Sequence, residues 1–290
     1  MFRSILCLAV FPLSIAMGLD SKNTPVATPF ELGRAYARGE GVAKDEAQAI
    51  EYFKQAAAQG DARACVQLGA IYTAPSHLLQ DDVEGFSWFK KGADLADPVA
   101  QYNLGWCYAG GRGVKQDFAK AVQWYRRAAE AGQVQAQFKL GTIYFNGENG
   151  QPRDLEQARR WFSQAAEAGN APAQNSLAVQ YEMGLGGEKN FAEAVRLYRA
   201  AAEQGEKQGE ANLARMYEYG LGGLKKDYQQ ALLWYSLSAR QEEITAIKGL
   251  NGLVEAGAVT KEQVEEGKWM AEEYIKTHPT AAGPKPLPGN

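Results

Sequence analysis

Apolar and polar positions along this chain repeat with a single beat. Leu32-Gly33, Leu68-Gly69, Leu104-Gly105, Leu140-Gly141, Leu177-Ala178 and Leu213-Ala214 follow one another at intervals of 36, 36, 36, 37 and 36 residues. Each pair is followed by a tyrosine: Tyr36, Tyr72, Tyr108, Tyr144, Tyr181 and Tyr217. In the third unit Ala100, Leu104 and Tyr108 fall at i, i+4 and i+8, one face of an α-helix. A fixed period of this length marks a stacked-repeat architecture. The predicted fold is all-α: a right-handed α-solenoid of six helix–turn–helix repeats of about 36 residues, closed by a C-terminal helical cap.

Polar residues and glycines punctuate each unit. Gly110-Gly111-Arg112-Gly113 breaks the first helix. The column Asp45, Asp81, Asp117, Asp154, Asn190, Asp227 then offers helix N-caps. Three residues on, Gln48, Glu84, Gln157, Glu193 and Gln230 complete the spacing of a capping box, and only Lys120 departs from it. The second helix, Phe118 to Ala131 in the third unit, carries Ala121, Trp124 or Tyr125, and Ala128. Its aromatic column reads Tyr52-Phe53, Trp88-Phe89, Trp124-Tyr125, Trp161-Phe162, Leu197-Tyr198, Trp234-Tyr235. Ala-Ala pairs permit close helix contacts, and Gly60, Gly132, Gly169 and Gly205 stop the helix.

This register of Ala, Leu-Gly, Tyr, Gly-x-Gly-Val, Asp, Trp-Tyr, Ala-Ala and Gly resembles the Sel-one-like repeat (SLR) family, a branch of the tetratricopeptide-like solenoids. The resemblance covers about residues 27–240. Repeat two departs from it with Thr73-Ala74-Pro75-Ser76-His77 in place of the glycine loop and Leu95-Ala96-Asp97-Pro98 in place of the terminal glycine, so local irregularity is expected there. Repeat four carries one extra residue before Asp154. Beyond Arg240 the register is lost. Two helical stretches, Glu242 to Leu253 and Thr260 to Thr277, are expected to cap the last apolar face over residues 241–279. Residues 280–290, rich in proline, read as a disordered tail.

The opening residues stand outside the beat. A basic start, an apolar run from Ser4 to Ala16 and small residues at Ala16 and Gly18 have the pattern of a secretory signal peptide over residues 1–18, with a linker over 19–26. The run is too short and too proline-interrupted for a comfortable membrane span. An exported chain, periplasmic in a bacterium, is therefore expected. Net charge is −3 over the whole sequence, with no basic footprint for nucleic acid. Cys65 lies three residues before its Leu and Cys107 three after, so in neighbouring helices they are offset by roughly 9 Å along the axis, too far for a disulfide. Cys107 shares a column with Ile71, Ile143 and Met216 and reads as a small buried hydrophobe.

Little catalytic chemistry is on offer. The two histidines, His77 in the odd loop of repeat two and His278 near the tail, lack partners for a triad or a metal site. Ser87-Trp88-Phe89-Lys90 matches the S-x-x-K nucleophile motif, and some cysteine-rich exported relatives of the resembled family bind or hydrolyse penicillins. Yet Ser87 aligns with Glu51, Gln123, Arg160 and Arg196, a solvated column, and no S-D-N or K-T-G accompanies it. No catalytic residue, metal or cofactor is assigned.

The resemblance places the first helices of the hairpins on a concave, partner-facing side. Beside the core stripe there stand Tyr102, Trp106, Phe138, Phe145, Met183, Tyr219 and Arg215, residue types enriched at the cores of interfaces. The resemblance implies a non-enzymatic, monomeric protein-binding solenoid. Exported members of the family include periplasmic immunity proteins that neutralise toxic effectors such as lipases, and scaffolds of envelope or exopolysaccharide assembly. The first is the sharper expectation and the second its alternative.

Overall fold

The computed structural model describes residues 27–75, 78–148 and 150–282. The predicted signal peptide and linker, His77 and the last part of the predicted tail lie outside these residues. Among the described residues the chain is all-α. In order come α1 (Pro29–Arg38), α2 (Glu46–Ala58), α3 (Ala62–Thr73), α4 (Asp82–Asp94), α5 (Pro98–Gly110), α6 (Phe118–Glu130), α7 (Val134–Asn146), α8 (Leu155–Glu167), α9 (Ala171–Met183), α10 (Phe191–Ala202), α11 (Lys207–Tyr219), α12 (Tyr228–Ala239), α13 (Ile244–Glu255) and α14 (Lys261–Thr277). A turn of 3-10 helix, Pro279–Ala282, follows. No helix among the described residues is long and apolar enough to cross a membrane.

The chain divides into two compact units, residues 1–116 and 117–290. The first holds α1 to α5 and the second α6 to α14; the division falls inside the third repeat. In the first unit α1 pairs with α2 and α3 with α4, while α2 lies on α3 and α4 on α5. In the second, α7 pairs with α8, α9 with α10 and α11 with α12, each pair leaning on the next. We call the first helix of each hairpin A and the second B.

Leu68, Leu104, Leu140, Leu177 and Leu213 of the A helices are buried, as are Cys65 and Cys107, which remain free thiols. Burial pushes the Cys107 thiol up to about 12, so it stays protonated and packs as a hydrophobe. The residue after the Leu is small because an aromatic ring of the same hairpin lies on it. A Cβ at Gly33, Gly69 or Gly141 would sit 2.6, 2.5 or 2.4 Å from the ring of Phe53, Phe89 or Phe162.

All six predicted Asp/Asn caps are N-caps of B helices, each accepting from the N–H three residues on. The expected reciprocal half of the capping box is not how they are completed. The cap N–H donates instead to the carbonyl of the A-helix tyrosine: Asp45 to Tyr36 (3.0 Å), Asp81 to Tyr72 (2.8 Å), Asp154 to Tyr144 (2.8 Å), Asn190 to Tyr181 (2.8 Å) and Asp227 to Tyr217 (3.0 Å). Full boxes form at Thr28/Glu31 and Thr260/Gln263, which open α1 and α14.

Repeat two is irregular only at its loop. Helix α3 ends on Ala74 in extended backbone, whereas α1, α5, α7, α9 and α11 end on a left-handed glycine. At its far end Ala96 adopts φ +61°, the conformation the terminal glycines take elsewhere, and Glu242 does the same after α12 at φ +60°.

The two helical stretches expected beyond Arg240 are present as α13 and α14; what departs from expectation is the register. Helix α13 keeps the A-helix register, with Ala246 and Leu250 buried and Gly249 against the Tyr235 ring. The order of the pair is inverted, Gly249-Leu250, which hides it from a search for Leu-Gly. Helix α14 packs on α12: Gly267 lies on Leu232, Tyr274 meets Trp234 edge-on (centroids 5.3 Å apart), and Arg240 binds Glu272 (2.9 Å). Thr280, within the predicted tail, donates to the Glu203 carbonyl (3.1 Å).

Candidate functional site

The residues singled out for partner binding divide between the two units. In the first unit Tyr102 and Trp106 stand on α5, both half-buried. Burial raises the Tyr102 hydroxyl above its ordinary pKa. The Arg112 guanidinium covers the Trp106 ring at 4.8 Å and is itself anchored, to Asp82 of α4 (2.9 Å) and to the Thr73 carbonyl (3.3 Å). The arginine of the glycine loop thus ties repeat three to repeat two and presents Trp106 with one face occupied.

In the second unit Phe138 and Phe145 of α7 both lean on Phe162 of α8, with centroids 5.8 and 6.3 Å apart. Arg153 lies over the Phe145 ring at 5.7 Å and donates to its carbonyl. These two rings are largely spent on their own hairpin, a use that helical spacing alone does not separate from an interface role.

Met183 and Tyr219 are different. They occupy the same register on α9 and α11 and are 63% and 61% exposed. The residues just before them are fixed. Glu182 accepts from the Tyr198 hydroxyl (2.8 Å) and from Arg215 (2.7 Å); Glu218 accepts from the Tyr235 hydroxyl (2.8 Å). Burial by itself would raise the Glu182 carboxyl, but hydrogen bonds from Arg215 and Tyr198 outweigh it and hold it below the ordinary carboxylate range. Arg215 therefore joins two successive A helices as an ion pair at partial burial, and Asn212 donates to Asn175 (2.9 Å) between the same helices. The network was not legible in the sequence: Glu182 and Glu218 share a column with Ala37 and Ala109, and only packing reveals which tyrosine and arginine they meet.

The serine and lysine of the S-x-x-K motif lie on the surface of α4. Ser87 is exposed on α4, and the Lys90 ammonium is held by Asp94 (2.9 Å). His278, exposed, stacks on Tyr274 with centroids 4.1 Å apart.

Comparison with known proteins fits this geometry. The family model described as Sel1 repeat matches six times, at residues 30–61, 62–97, 98–133, 134–170, 171–206 and 208–242. A protective antigen of uropathogenic Escherichia coli strains, whose crystal structure displays an SLR fold, is 37% identical with a TM-score of 0.73. The match covers 85% of this chain and 53% of that one. A Sel1 repeat protein from Oxalobacter formigenes is 27% identical with a TM-score of 0.70, covering 78% and 64%. The chain thus spans about half to two thirds of the length of these two structures. An immunity protein from Pseudomonas aeruginosa is 23% identical with a TM-score of 0.45, covering 74% and 82%. No curated protein matches the chain.

Proposed function

The chain belongs to the Sel1 repeat family, and from that membership we propose that it is a non-enzymatic solenoid that binds a folded protein on its A helices, with Met183 and Tyr219 at the contact. The observation that carries this reading is the pairing of two large exposed side chains, at one register on successive A helices, with a rigid polar network directly behind them. An interface that is pre-organised loses less entropy on binding, and aromatic and Met side chains are common anchors. Glu182 and Glu218, bonded to Tyr198, Arg215 and Tyr235, hold the backbone that carries the two anchors.

The finer reading is an exported inhibitor, acting in a bacterial periplasm, that neutralises a toxic effector such as a lipase. It rests on the kinship of immunity proteins with the SLR pattern and on the signal-like residues 1–18. The test is capture from periplasmic extract with the purified chain, followed by partner identification and an activity assay of that partner. A captured hydrolase whose activity falls on stoichiometric addition supports the inhibitor role. An envelope or exopolysaccharide assembly component in its place transfers the reading to a scaffold. Met183→Ser with Tyr219→Ser is expected to weaken either partner at least tenfold (about 1.4 kcal/mol) with an unchanged melting curve. Unchanged affinity in that double variant overturns the assignment of this face.

A further inference from the structure

Helix α13 is an A helix without a B helix on it. In the hairpins α1/α2, α3/α4, α7/α8, α9/α10 and α11/α12 the B helix covers its own A helix, whereas α14 turns back onto α12. The repeat register identifies the face this leaves open. Ala246 and Leu250 stand as the Ala and Leu of the repeat, so the next position is Asn251. At Gly33, Gly69 and Gly141 that position lies under an aromatic ring of the B helix, but Asn251 is exposed. Three residues before the Leu, the side chains of Cys65, Gln101, Gln137, Gln174 and Glu210 are at most 8% exposed, while Ile247 is 42% exposed. Ile244, one turn earlier, is 65% exposed. A recess of about 380 Å³ separates this face from α14, lined among others by Val254 and Glu255 of α13 and by Lys261 and Val264 of α14.

The open face is complementary to itself. It is made of three pairs of residues seven apart: Ile244 and Asn251, Ile247 and Val254, Lys248 and Glu255. Residues at that spacing share one side of a helix, two turns apart. The apolar stripe is thus flanked by a lysine toward one end and a glutamate toward the other. Both charged side chains are exposed, and neither belongs to the ion pairs that α13 and α14 form. A second α13 laid antiparallel, with a two-fold axis at Asn251, sets Ile247 beside Val254 of the other copy and Lys248 beside Glu255 of the other copy. Each pair is level to within about 1.5 Å along the helix, and each contact occurs twice, as an isologous pair requires. Ile244 comes level with the turn into α14 of the other copy, next to its recess. A parallel pair would instead set lysine against lysine and glutamate against glutamate.

We infer that this face binds a second copy of the chain, giving a two-fold symmetric dimer across α13 where the resemblance implies a monomer. The occupant is a second copy rather than an unrelated helix because the face supplies its own complement, apolar stripe on apolar stripe and lysine on glutamate. Met183 and Tyr219 lie outside it, so this assignment and the partner-binding face proposed above can fail separately.

The experiment is sedimentation equilibrium of the purified full chain over about 1–200 μM, with far-UV circular dichroism as the control for folding. The mass is expected to rise with concentration from that of one chain to that of two, and to stop there. Ile247→Asp puts a carboxylate in the middle of the stripe and should leave a single chain throughout, with an unchanged spectrum. Lys248→Glu sets like charges against each other twice and should weaken the dimer about tenfold or more. Both side chains are solvent-accessible, so either variant serves if the other misfolds. Lys248→Glu combined with Glu255→Lys exchanges the two signs and should recover the dimer, which a purely local effect of either charge would not do. A single chain at every concentration overturns the proposal. So does growth beyond two copies, a dimer that either single variant leaves intact, or a double reversal that fails to recover it.

Discussion

Glu210 offers a test of how the repeat register governs energetics. Its side chain on α11 is fully buried. The same column holds Gln101, Gln137 and Gln174 in the three preceding repeats. Gln137 donates to the Ala129 carbonyl and Gln174 to the Ala166 carbonyl, both at 3.2 Å and eight residues upstream, and Gln174 accepts from Gln204 (2.8 Å). Glu210 reproduces the accepting half, taking a bond from Gln241 (3.1 Å), but its other oxygen is buried without a partner. By register that oxygen stands where a donor belongs, toward the Ala202 carbonyl. Only the protonated carboxyl can donate there. Burial, the largest influence, pushes the Glu210 carboxyl up to about 8 from 4.5, with the nearby Glu206 charge adding to it and Gln241 and Arg240 opposing.

The sign follows from linkage. Below about 4.5 the carboxyl is protonated in both folded and unfolded chains and has no effect on stability. Between 4.5 and 8 the folded chain holds a proton that the unfolded chain releases, so stability falls as pH rises; above 8 the loss is complete. A shift of this size corresponds to about 5 kcal/mol. Glu210→Gln restores the column's donor and removes the titration. Urea denaturation followed by far-UV circular dichroism, at pH values from about 4.5 to 8.5, should show wild-type stability declining relative to the variant across that range. The variant should lead by several kcal/mol at the alkaline end. Parallel pH profiles, or a variant less stable than wild type at the alkaline end, would refute the reasoning.

Three further substitutions probe the loops and the helix ends. A Cβ on Gly186 would fall 2.1 Å from the Leu155 carbonyl oxygen of the preceding B helix, at φ +68°, whereas Gly41 at φ +75° has nothing within 4 Å. Gly186→Ala should therefore cost about 2–4 kcal/mol and Gly41→Ala only about 1; equal losses in thermal melts would show that the loop's seat on the preceding helix contributes nothing. Ala96→Gly relieves a left-handed alanine and should gain up to about 1 kcal/mol, read as a higher urea midpoint; a lower midpoint would mean that the alanine methyl contributes more than the strain removes.

The sequence by itself determined the hairpins. The Leu, Asp and small-residue columns recur because each repeat solves the same local problem, burying one stripe of each helix and capping its ends. Leu104, Asp154 and Gly141 could be given roles before any coordinates. Other features depended on neighbours distant in sequence. That Phe138 and Phe145 turn onto Phe162, that Arg215 reaches Glu182, and that the cap N–H finds a tyrosine carbonyl rather than the residue three positions on, were decided by packing. So was the continuation of the A-helix register into α13 through an inverted Gly249-Leu250. The repeat pattern specifies which positions face the core, but many side chains can satisfy one position. Which of Gln, Glu, Met or Tyr becomes a buried amide, a buried acid or an exposed anchor depends on what the adjacent repeats place against it, and only the folded chain brings those neighbours together.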